Sequence, residues 1–143
     1  YVFGNEPQRV VGILERDPQF ETDRHASGIL DFGQGLATFH CSTQSHSSQM
    51  VKIIGDKGTL EVENPFFRRD GIPSRLFLYR NDVRETIVIG TFNHYVCQLD
   101  AFCQAALNGG AAPTPLEDAL MNMNVIDAVF ASDRANAWVS IPR

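Results

Sequence analysis

The sequence predicts an α+β fold, an open-faced and mostly antiparallel β-sheet with helices packed on one face. Three observations predict it. Residues 7–90 consist of short apolar segments separated by turn signals, whereas residues 93–135 show the spacing of amphipathic helices. The connections between successive strand segments are short, which favours antiparallel pairing. We expect residues 1–143 to form a single domain, because this length suits one hydrophobic core.

The strand segments before residue 91 are predicted to be Gln8–Arg16, Arg24–Phe32, Leu36–Ser42, Gln49–Ile54, Thr59–Glu63, Ser74–Arg80 and Arg84–Ile89. The second alternates, with Ala26, Gly28, Leu30 and Phe32 on one side and His25, Ser27, Ile29 and Asp31 on the other. Gly33-Gln34-Gly35 predicts a hairpin turn into the third strand. A dinucleotide-binding Gly-x-Gly segment would be followed by a helix, so this turn is not expected to bind phosphate.

A first helix is predicted to begin after an N-cap at Asn93 and to end at about Asn108, where Gly109 supplies the left-handed stop. Its apolar positions are Val96, Leu99, Phe102, Cys103, Ala106 and Leu107.

The second helix is predicted to begin with a capping box, in which Thr114 is the N-cap, Pro115 the first helical residue and Glu117 the third. Its expected buried stripe is Ala119, Met123, Ile126 and Phe130. Asn136 is predicted to end the helix in the left-handed conformation, and Trp138, Val139 and Ile141 to form a closing strand.

Several strands carry apolar residues on both faces, among them Val10 with Val11, Phe77 with Leu78 and Val88 with Ile89. Because one layer of helices covers only one face, the open face predicts a partner, either another domain or a second copy in a homo-oligomer. The alternative is that these apolar residues are scattered singly over the surface.

Composition excludes several classes of function. Twelve Lys and Arg against 17 Asp and Glu give a net charge of −5, which argues against nucleic-acid binding. The sequence has no run of about 18 apolar residues, so no membrane helix is predicted. Three cysteines are an odd number without a zinc spacing, so we expect no disulfide framework and a cytoplasmic location.

No catalytic or metal site emerges from the residue types and spacings alone. The four histidines, His25, His40, His46 and His94, match no zinc pattern, and no metal is expected. Glu117 and Asp118 are interpreted as first-turn charges that favour the helix dipole. From the residues alone we therefore predict no catalytic residue.

The order of three motifs carries further information. Ile54-Gly55-Asp56-Lys57-Gly58-Thr59-Leu60-Glu61-Val62 is followed by Asn93-His94-Tyr95-Val96-Cys97-Gln98-Leu99-Asp100-Ala101-Phe102 and then by Pro113-Thr114-Pro115-Leu116-Glu117-Asp118-Ala119-Leu120. This series, from about Glu6 to Pro142, resembles the C-terminal domain of the Gfo/Idh/MocA oxidoreductases, the glucose-fructose oxidoreductase and inositol dehydrogenase family.

The resemblance implies a two-domain enzyme that transfers hydride to or from hydroxyl-bearing carbons of sugars, inositols or related polyols. NAD or NADP would bind a preceding Rossmann domain, which also carries the Glu-Lys-Pro lysine of the family. An Asp and a His four residues apart would precede the segment that begins at Tyr1. The chain has neither these groups nor an initiator Met, so we expect it to be an inactive piece of a longer protein that binds no cofactor by itself.

One position carries an implied substrate contact. Family members similar to inositol dehydrogenase place a Tyr seven residues before a helix Phe, and Tyr95 and Phe102 have this spacing. Tyr95 is therefore the expected substrate-binding residue, unless it only packs at the helix start. The alternative function is a stand-alone binding or scaffold module without enzymatic activity.

Overall fold

The computed structural model describes residues 2–67 and 71–142. The chain divides into two compact units, one from its two ends (Tyr1–Ser45 and Thr114–Arg143) and one from its middle (His46–Pro113). The described residues form two four-stranded antiparallel sheets and two helices, which confirms the predicted α+β class. Tyr1, at which the segment expected to follow the family's Asp and His begins, lies outside the described residues.

The first unit contains strands β1 (Arg9–Arg16), β2 (Asp23–Asp31), β3 (Leu36–Ser42) and β8 (Val139–Ser140) and helix α2 (Leu116–Ala135). The four strands form the first sheet, in the order β3-β2-β1-β8. The hairpin between β2 and β3 is confirmed. Gly33 has a φ of 79°, and the Phe32 N–H donates to the Gly35 carbonyl at 2.9 Å.

The hydrophobic core of the first unit lies between β1 and α2. Its buried members are Val10, Ala128, Val129 and Ile141. Gly12 allows the close approach of the helix, because a Cβ there would lie 2.9 Å from the Val129 Cγ1 atom. The helix therefore packs on β1 through small residues.

Side chains of α2 complete the hydrogen bonding of β1. The two residues of β8 pair only with Arg9 and Val10, which leaves later amides of β1 without a strand partner on that side. The Gly12 N–H donates to the Ser132 hydroxyl at 3.0 Å, and the Leu14 N–H donates to the Asp133 carboxylate at 2.9 Å. Two helix side chains thus replace a missing strand at this edge.

The second unit contains β4 (Met50–Gly55), β5 (Gly58–Glu63), β6 (Ser74–Arg80) and β7 (Val83–Gly90), paired in that order as the second sheet, and helix α1 (His94–Leu107). The register separates its two faces. One face is mostly apolar and carries Val51, Ile53, Leu60, Val62, Leu76, Leu78 and Ile87, with Glu85 opposite Leu78. The other carries ion pairs, with Lys52 on Glu61 at 3.0 Å and Arg75 on Glu63 at 2.8 Å.

The helix ends are partly as predicted. Asn93 caps α1, Gly109 follows it with a φ of 63°, and Asn136 ends α2 with a φ of 50°. The predicted capping box is wrong. Pro115 is the N-cap of α2 and has no side-chain oxygen, so the Thr114 hydroxyl lies one residue too early to bond the first turn.

The predicted buried stripe of α2 is also wrong. Met123 is 51% exposed and Ile126 is 39% exposed, whereas Ala128, Val129 and Ser132 are buried. The helix carries two stripes at helical spacing. The stripe with the smaller side chains packs on the sheet, because Gly12 of β1 admits a close contact there.

Candidate functional site

Tyr95 lies in the first turn of α1, where the local sequence sets its orientation. The Asn93 side chain accepts hydrogen bonds from the backbone N–H groups of Tyr95 (3.0 Å) and Val96 (3.2 Å), which fixes the start of the helix. Gly90, with a φ of 95°, supplies a left-handed residue shortly before this cap. The Asn93 side chain therefore holds the helix start without using the Tyr95 ring, which can contact other molecules.

The Tyr95 phenol faces solvent beside a second ring. Its side chain is 58% exposed, and its ring centroid lies 4.1 Å from that of His94 at an interplanar angle of 38°. Within the described residues no protein atom forms a hydrogen bond with the Tyr95 hydroxyl. A phenol in this setting can both donate to and accept from a substrate hydroxyl.

A second polar group of residues lies on the first sheet, on the face directed away from α2. This open face is set by the register: β1 contributes Val11, Ile13 and Glu15, β2 contributes His25, Ser27, Ile29 and Asp31, and β3 contributes Leu36, Thr38 and His40. The predicted alternation of β2 is confirmed, since Gly12, Gly28 and Ala26 lie on the opposite face. Ile13 is 72% exposed, so no element of the described first unit covers its position.

The polar end of this face forms a cross-strand cluster. The Ser27 hydroxyl lies 2.7 Å from Nδ1 of His40, and the rings of His25 and His40 stack with centroids 6.1 Å apart. Nε2 of His25 lies 3.9 Å from the Glu15 carboxylate, which also accepts from Nε of Arg24 at 3.1 Å. We name these residues, Glu15, Arg24, His25, Ser27 and His40, the histidine cluster.

The electrostatics of the carboxylates do not identify a proton donor. The Arg24 hydrogen bond lowers the pKa of Glu15, and the Lys52 and Tyr79 hydrogen bonds lower the pKa of Glu61. The Gly33 amide and the Arg9 guanidinium lower the pKa of Asp31. These groups are held charged by their partners, whereas a general acid near neutral pH needs a raised pKa.

Metal and thiol chemistry find little support in the described residues. In residues 2–67 and 71–142 no group of three or more His, Cys, Asp and Glu side chains is placed to hold a metal ion. Cys41, Cys97 and Cys103 are exposed free thiols. Neither helix, within the same described ranges, combines the length and apolar character needed to cross a lipid bilayer.

An apolar cavity of about 400 Å³ lies between α2 and the helix-facing side of the first sheet. Helix α2 packs on β1 and β8, so the cavity opens on the side of the sheet formed by β2 and β3. Its wall is formed by Leu14, Ala26, Leu30, Phe39, Val125, Ile126, Val129 and Phe130, with Asp23 and Cys41 as the polar residues. Among the described residues Asp23 and Cys41 form no hydrogen bond with each other, so the cavity does not pair a nucleophile with a base.

Comparison with known proteins identifies the chain. A family model described as oxidoreductase family, C-terminal alpha/beta domain, matches residues 1–141. The chain belongs to this family, the Gfo/Idh/MocA oxidoreductases. The match confirms the resemblance that the motif order indicated, and it covers both compact units.

Relatives of this Gfo/Idh/MocA domain include one enzyme that is named for a sugar. An uncharacterized oxidoreductase of Rhizobium meliloti is 30% identical over 98% of this chain and 44% of its own length. D-xylose 1-dehydrogenase (NADP(+)) 2 of Haloferax volcanii is 26% identical over 98% of this chain and 43% of its own. The chain thus spans less than half the length of these curated relatives.

Solved structures share the fold of this Gfo/Idh/MocA domain. The aldose-aldose oxidoreductase of Caulobacter crescentus, complexed with glycerol, superposes with a TM-score of 0.81 at 22% identity over 96% of this chain and 42% of that one. The 3-ketoreductase KijD10 of Actinomadura kijaniata, in complex with TDP-benzene and NADP, gives 0.82 at 21% identity over 90% of this chain and 41% of that one.

The sequence predicts Tyr95 as a site residue but does not predict the histidine cluster. Tyr95 was singled out through the family motif, and the structure places it at an exposed helix start. The histidine cluster was not anticipated as a cluster. The signal was present, because a hairpin closed at Gly33–Gly35 pairs Ser27 with His40 by counting outward along both strands.

Proposed function

We propose that residues 1–143 are the substrate-binding and oligomerisation domain of an NAD(P)-dependent oxidoreductase that acts on hydroxyl groups of sugars, inositols or related polyols. The family match over residues 1–141 carries the proposal. The sugar-related names of the relatives support the substrate class, and NADP in the name of the Haloferax volcanii enzyme supports the cofactor. The thiols of Cys41, Cys97 and Cys103 are compatible with a cytoplasmic location.

The Gly-x-Gly turn at Gly33–Gly35 does not fit the phosphates of a nicotinamide dinucleotide. Gly33-Gln34-Gly35 leads into β3, so the amides of this turn are not followed by a helix N-terminus that could face a pyrophosphate. We therefore assign cofactor binding to a Rossmann domain in the longer protein. Within this chain, the proposed task is to position the substrate and to exclude water around it.

The test of this proposal is a comparison of the complete reading frame with the 143-residue chain. The complete protein is expected to reduce NADP⁺ or NAD⁺ with an aldose such as D-xylose or D-glucose, whereas the chain alone turns over neither sugar. Calorimetric titration of the chain with NADH is expected to give no micromolar binding. A complete protein that is inactive with sugars and inositols would instead favour the binding or scaffold module.

Within that enzyme, Tyr95→Phe is expected to lower kcat/KM for the aldose by a factor of about 2–12. The phenol would lose one hydrogen bond to a neutral hydroxyl, which is worth about 0.5–1.5 kcal/mol. Affinity for the cofactor should stay the same. The matched control is Tyr79→Phe, because the Tyr79 hydroxyl donates to Glu61 at 3.0 Å on the ion-paired face of the second sheet. Equal kcat/KM values in wild type and Tyr95→Phe would make Tyr95 a packing residue.

Self-association through the open face of the first sheet is the second part of the proposal. Val11, Ile13, Ile29 and Leu36 form its apolar centre. Its charges are already paired, because Arg9 contacts Asp31 at 2.8 Å at one end and Arg24 contacts Glu15 at the other. Two copies can therefore meet around a twofold axis without unpaired like charges. Three strands about 4.8 Å apart give a small footprint, so we expect a reversible association.

A further inference from the structure

The hairpin turn between β2 and β3 holds the segment that precedes β1. The Phe3 ring stacks on the Phe32 ring, with centroids 4.3 Å apart and an interplanar angle of 24°. The Asn5 side-chain amide donates to the Phe32 carbonyl at 3.0 Å. The Gln34 side-chain amide donates to the Asn5 side-chain oxygen at 3.2 Å and also to the Phe3 carbonyl. The turn thus holds this segment through a ring contact and three hydrogen bonds.

Gly35 provides the space for the ring contact. Its φ lies outside the left-handed region, so the turn itself does not require glycine at this position. A Cβ atom at Gly35 would, however, overlap the ring of Phe3. The contact with the preceding segment therefore accounts for the second glycine of the Gly33-Gln34-Gly35 motif, which the hairpin alone leaves unexplained.

The other end of the same segment is fixed by the backbone. Pro7 is buried, and its ring holds φ at about −65°. The Gln8 N–H donates to the Asp31 carbonyl at 2.7 Å, and the Gln8 carbonyl accepts from the Ile141 N–H at 2.9 Å. Residues 3–8, which we call the entry segment, therefore run in a fixed direction into β1.

We propose that the turn of residues 32–35 is a clamp that fixes the direction of the entry segment and thereby positions the preceding Rossmann domain against this domain. The inference rests on the proposed function, in which a Rossmann domain of the longer protein binds the cofactor. It makes Phe3, Gln34 and Gly35 positioning residues, and it assigns none of them a contact with substrate or cofactor.

The clamp matters for the rate because the proposed enzyme holds its two reactants on different domains. The sugar is bound by this domain and the cofactor by the Rossmann domain, so their mutual placement depends on how the chain passes from one to the other. A misplacement of about 1 Å can lower a rate about a hundredfold. A displaced entry segment leaves both binding sites intact. We therefore expect loss of the clamp to lower kcat much more than it changes KM for the sugar or Kd for the cofactor.

The first variant is Gly35→Ala in the complete protein, because the added methyl group displaces the Phe3 ring. Its kcat for the aldose is expected to fall at least about tenfold, with changes of less than about twofold in the sugar KM and the cofactor Kd. Hydrogen exchange of the peptide that contains residues 2–8 provides a readout besides activity. Exchange in this peptide should become faster than in the wild type, because the segment is no longer held.

The second variant, Gln34→Glu, tests the clamp without crowding it. The glutamate carboxylate has nearly the same size, but it only accepts hydrogen bonds and cannot donate to the oxygens of Phe3 and Asn5. Its kcat and hydrogen exchange should change in the same directions as those of Gly35→Ala. The matched control is Gly55→Ala at the end of β4, where a Cβ atom would have an ordinary contact at 3.7 Å. This variant should keep the wild-type kcat and exchange.

Wild-type kcat in both Gly35→Ala and Gln34→Glu would overturn the inference, as would unchanged hydrogen exchange of residues 2–8. A loss that appears mainly in the sugar KM or the cofactor Kd would make the turn part of a binding site instead of a clamp. An equal loss in Gly55→Ala would also contradict the inference. A complete wild-type protein that is inactive with sugars and inositols contradicts the proposed function itself, and the inference falls with it.

Discussion

Replacing Ser132 with alanine is expected to lower the free energy of unfolding of the first unit by about 2–4 kcal/mol. Ser132 is fully buried, and its hydroxyl accepts from the Gly12 N–H at 3.0 Å and donates to the Ala137 carbonyl at 2.6 Å. Alanine leaves both backbone groups without a partner, and each buried unpaired group costs about 1–3 kcal/mol. No neighbouring strand replaces the hydroxyl, because β8 ends its pairing at Val10.

The measurement is urea unfolding followed by the fluorescence of Trp138, which is the single tryptophan of the sequence and lies in the first unit. The Arg9 guanidinium lies 4.7 Å from the centre of its ring, so the emission should change when β1 and β8 separate. Ser140→Ala is the control, because Ser140 is exposed, and a change within about 0.5 kcal/mol is expected. A loss below about 0.5 kcal/mol in Ser132→Ala would mean that the two backbone groups find other partners.

Local signals in the sequence predicted most elements of the fold. The turn at Gly33–Gly35, the cap at Asn93 and the left-handed end at Asn136 each follow from one residue type in one conformation. Such signals depend on the nearest few residues, and the structure has all three where they were expected.

One error is local, and the other concerns a choice that only tertiary packing decides. Thr114, Pro115 and Glu117 satisfy the spacing of a capping box, yet the helix begins one residue later, at Leu116. The apolar stripe of Met123 and Ile126 has helical spacing, as does the stripe that contains Val129. Gly12, which lies about 120 residues away in the sequence, favours the stripe with the smaller side chains. Periodicity alone cannot report that long-range contact.

The two parts of the candidate site also differ in whether the sequence alone could predict them. Tyr95 could be named because the family resemblance supplied its spacing from Phe102, and the residue lies exposed at the start of α1. The histidine cluster depends on the register of three strands, which places His25, Ser27 and His40 on one face. A shift by one residue would turn these side chains to the opposite face, so their proximity is a tertiary property.

Replacing Ile13 with glutamate is expected to weaken self-association of the chain at least about a hundredfold. Ile13 is 72% exposed at the apolar centre of the open face, between Val11 and the Glu15 end of the same strand. A twofold interface would bury two new carboxylates, one from each copy, without a partner cation, because Arg9 and Arg24 are already paired. A hundredfold change corresponds to about 2.7 kcal/mol, which is within the range for an unpaired charge in an interface.

The free energy of unfolding of Ile13→Glu should stay within about 0.5 kcal/mol of the wild type, because the side chain faces solvent in the separated chain. Ile54→Glu is the matched control. Ile54 is 75% exposed in β4, on the ion-paired face of the second sheet, and the variant adds the same charge. Sedimentation velocity at pH 7.5 should give a wild-type dissociation constant for Ile54→Glu. An equal loss of association in both variants would trace the effect to net charge, and an unchanged dissociation constant in Ile13→Glu would place the interface elsewhere on the molecule.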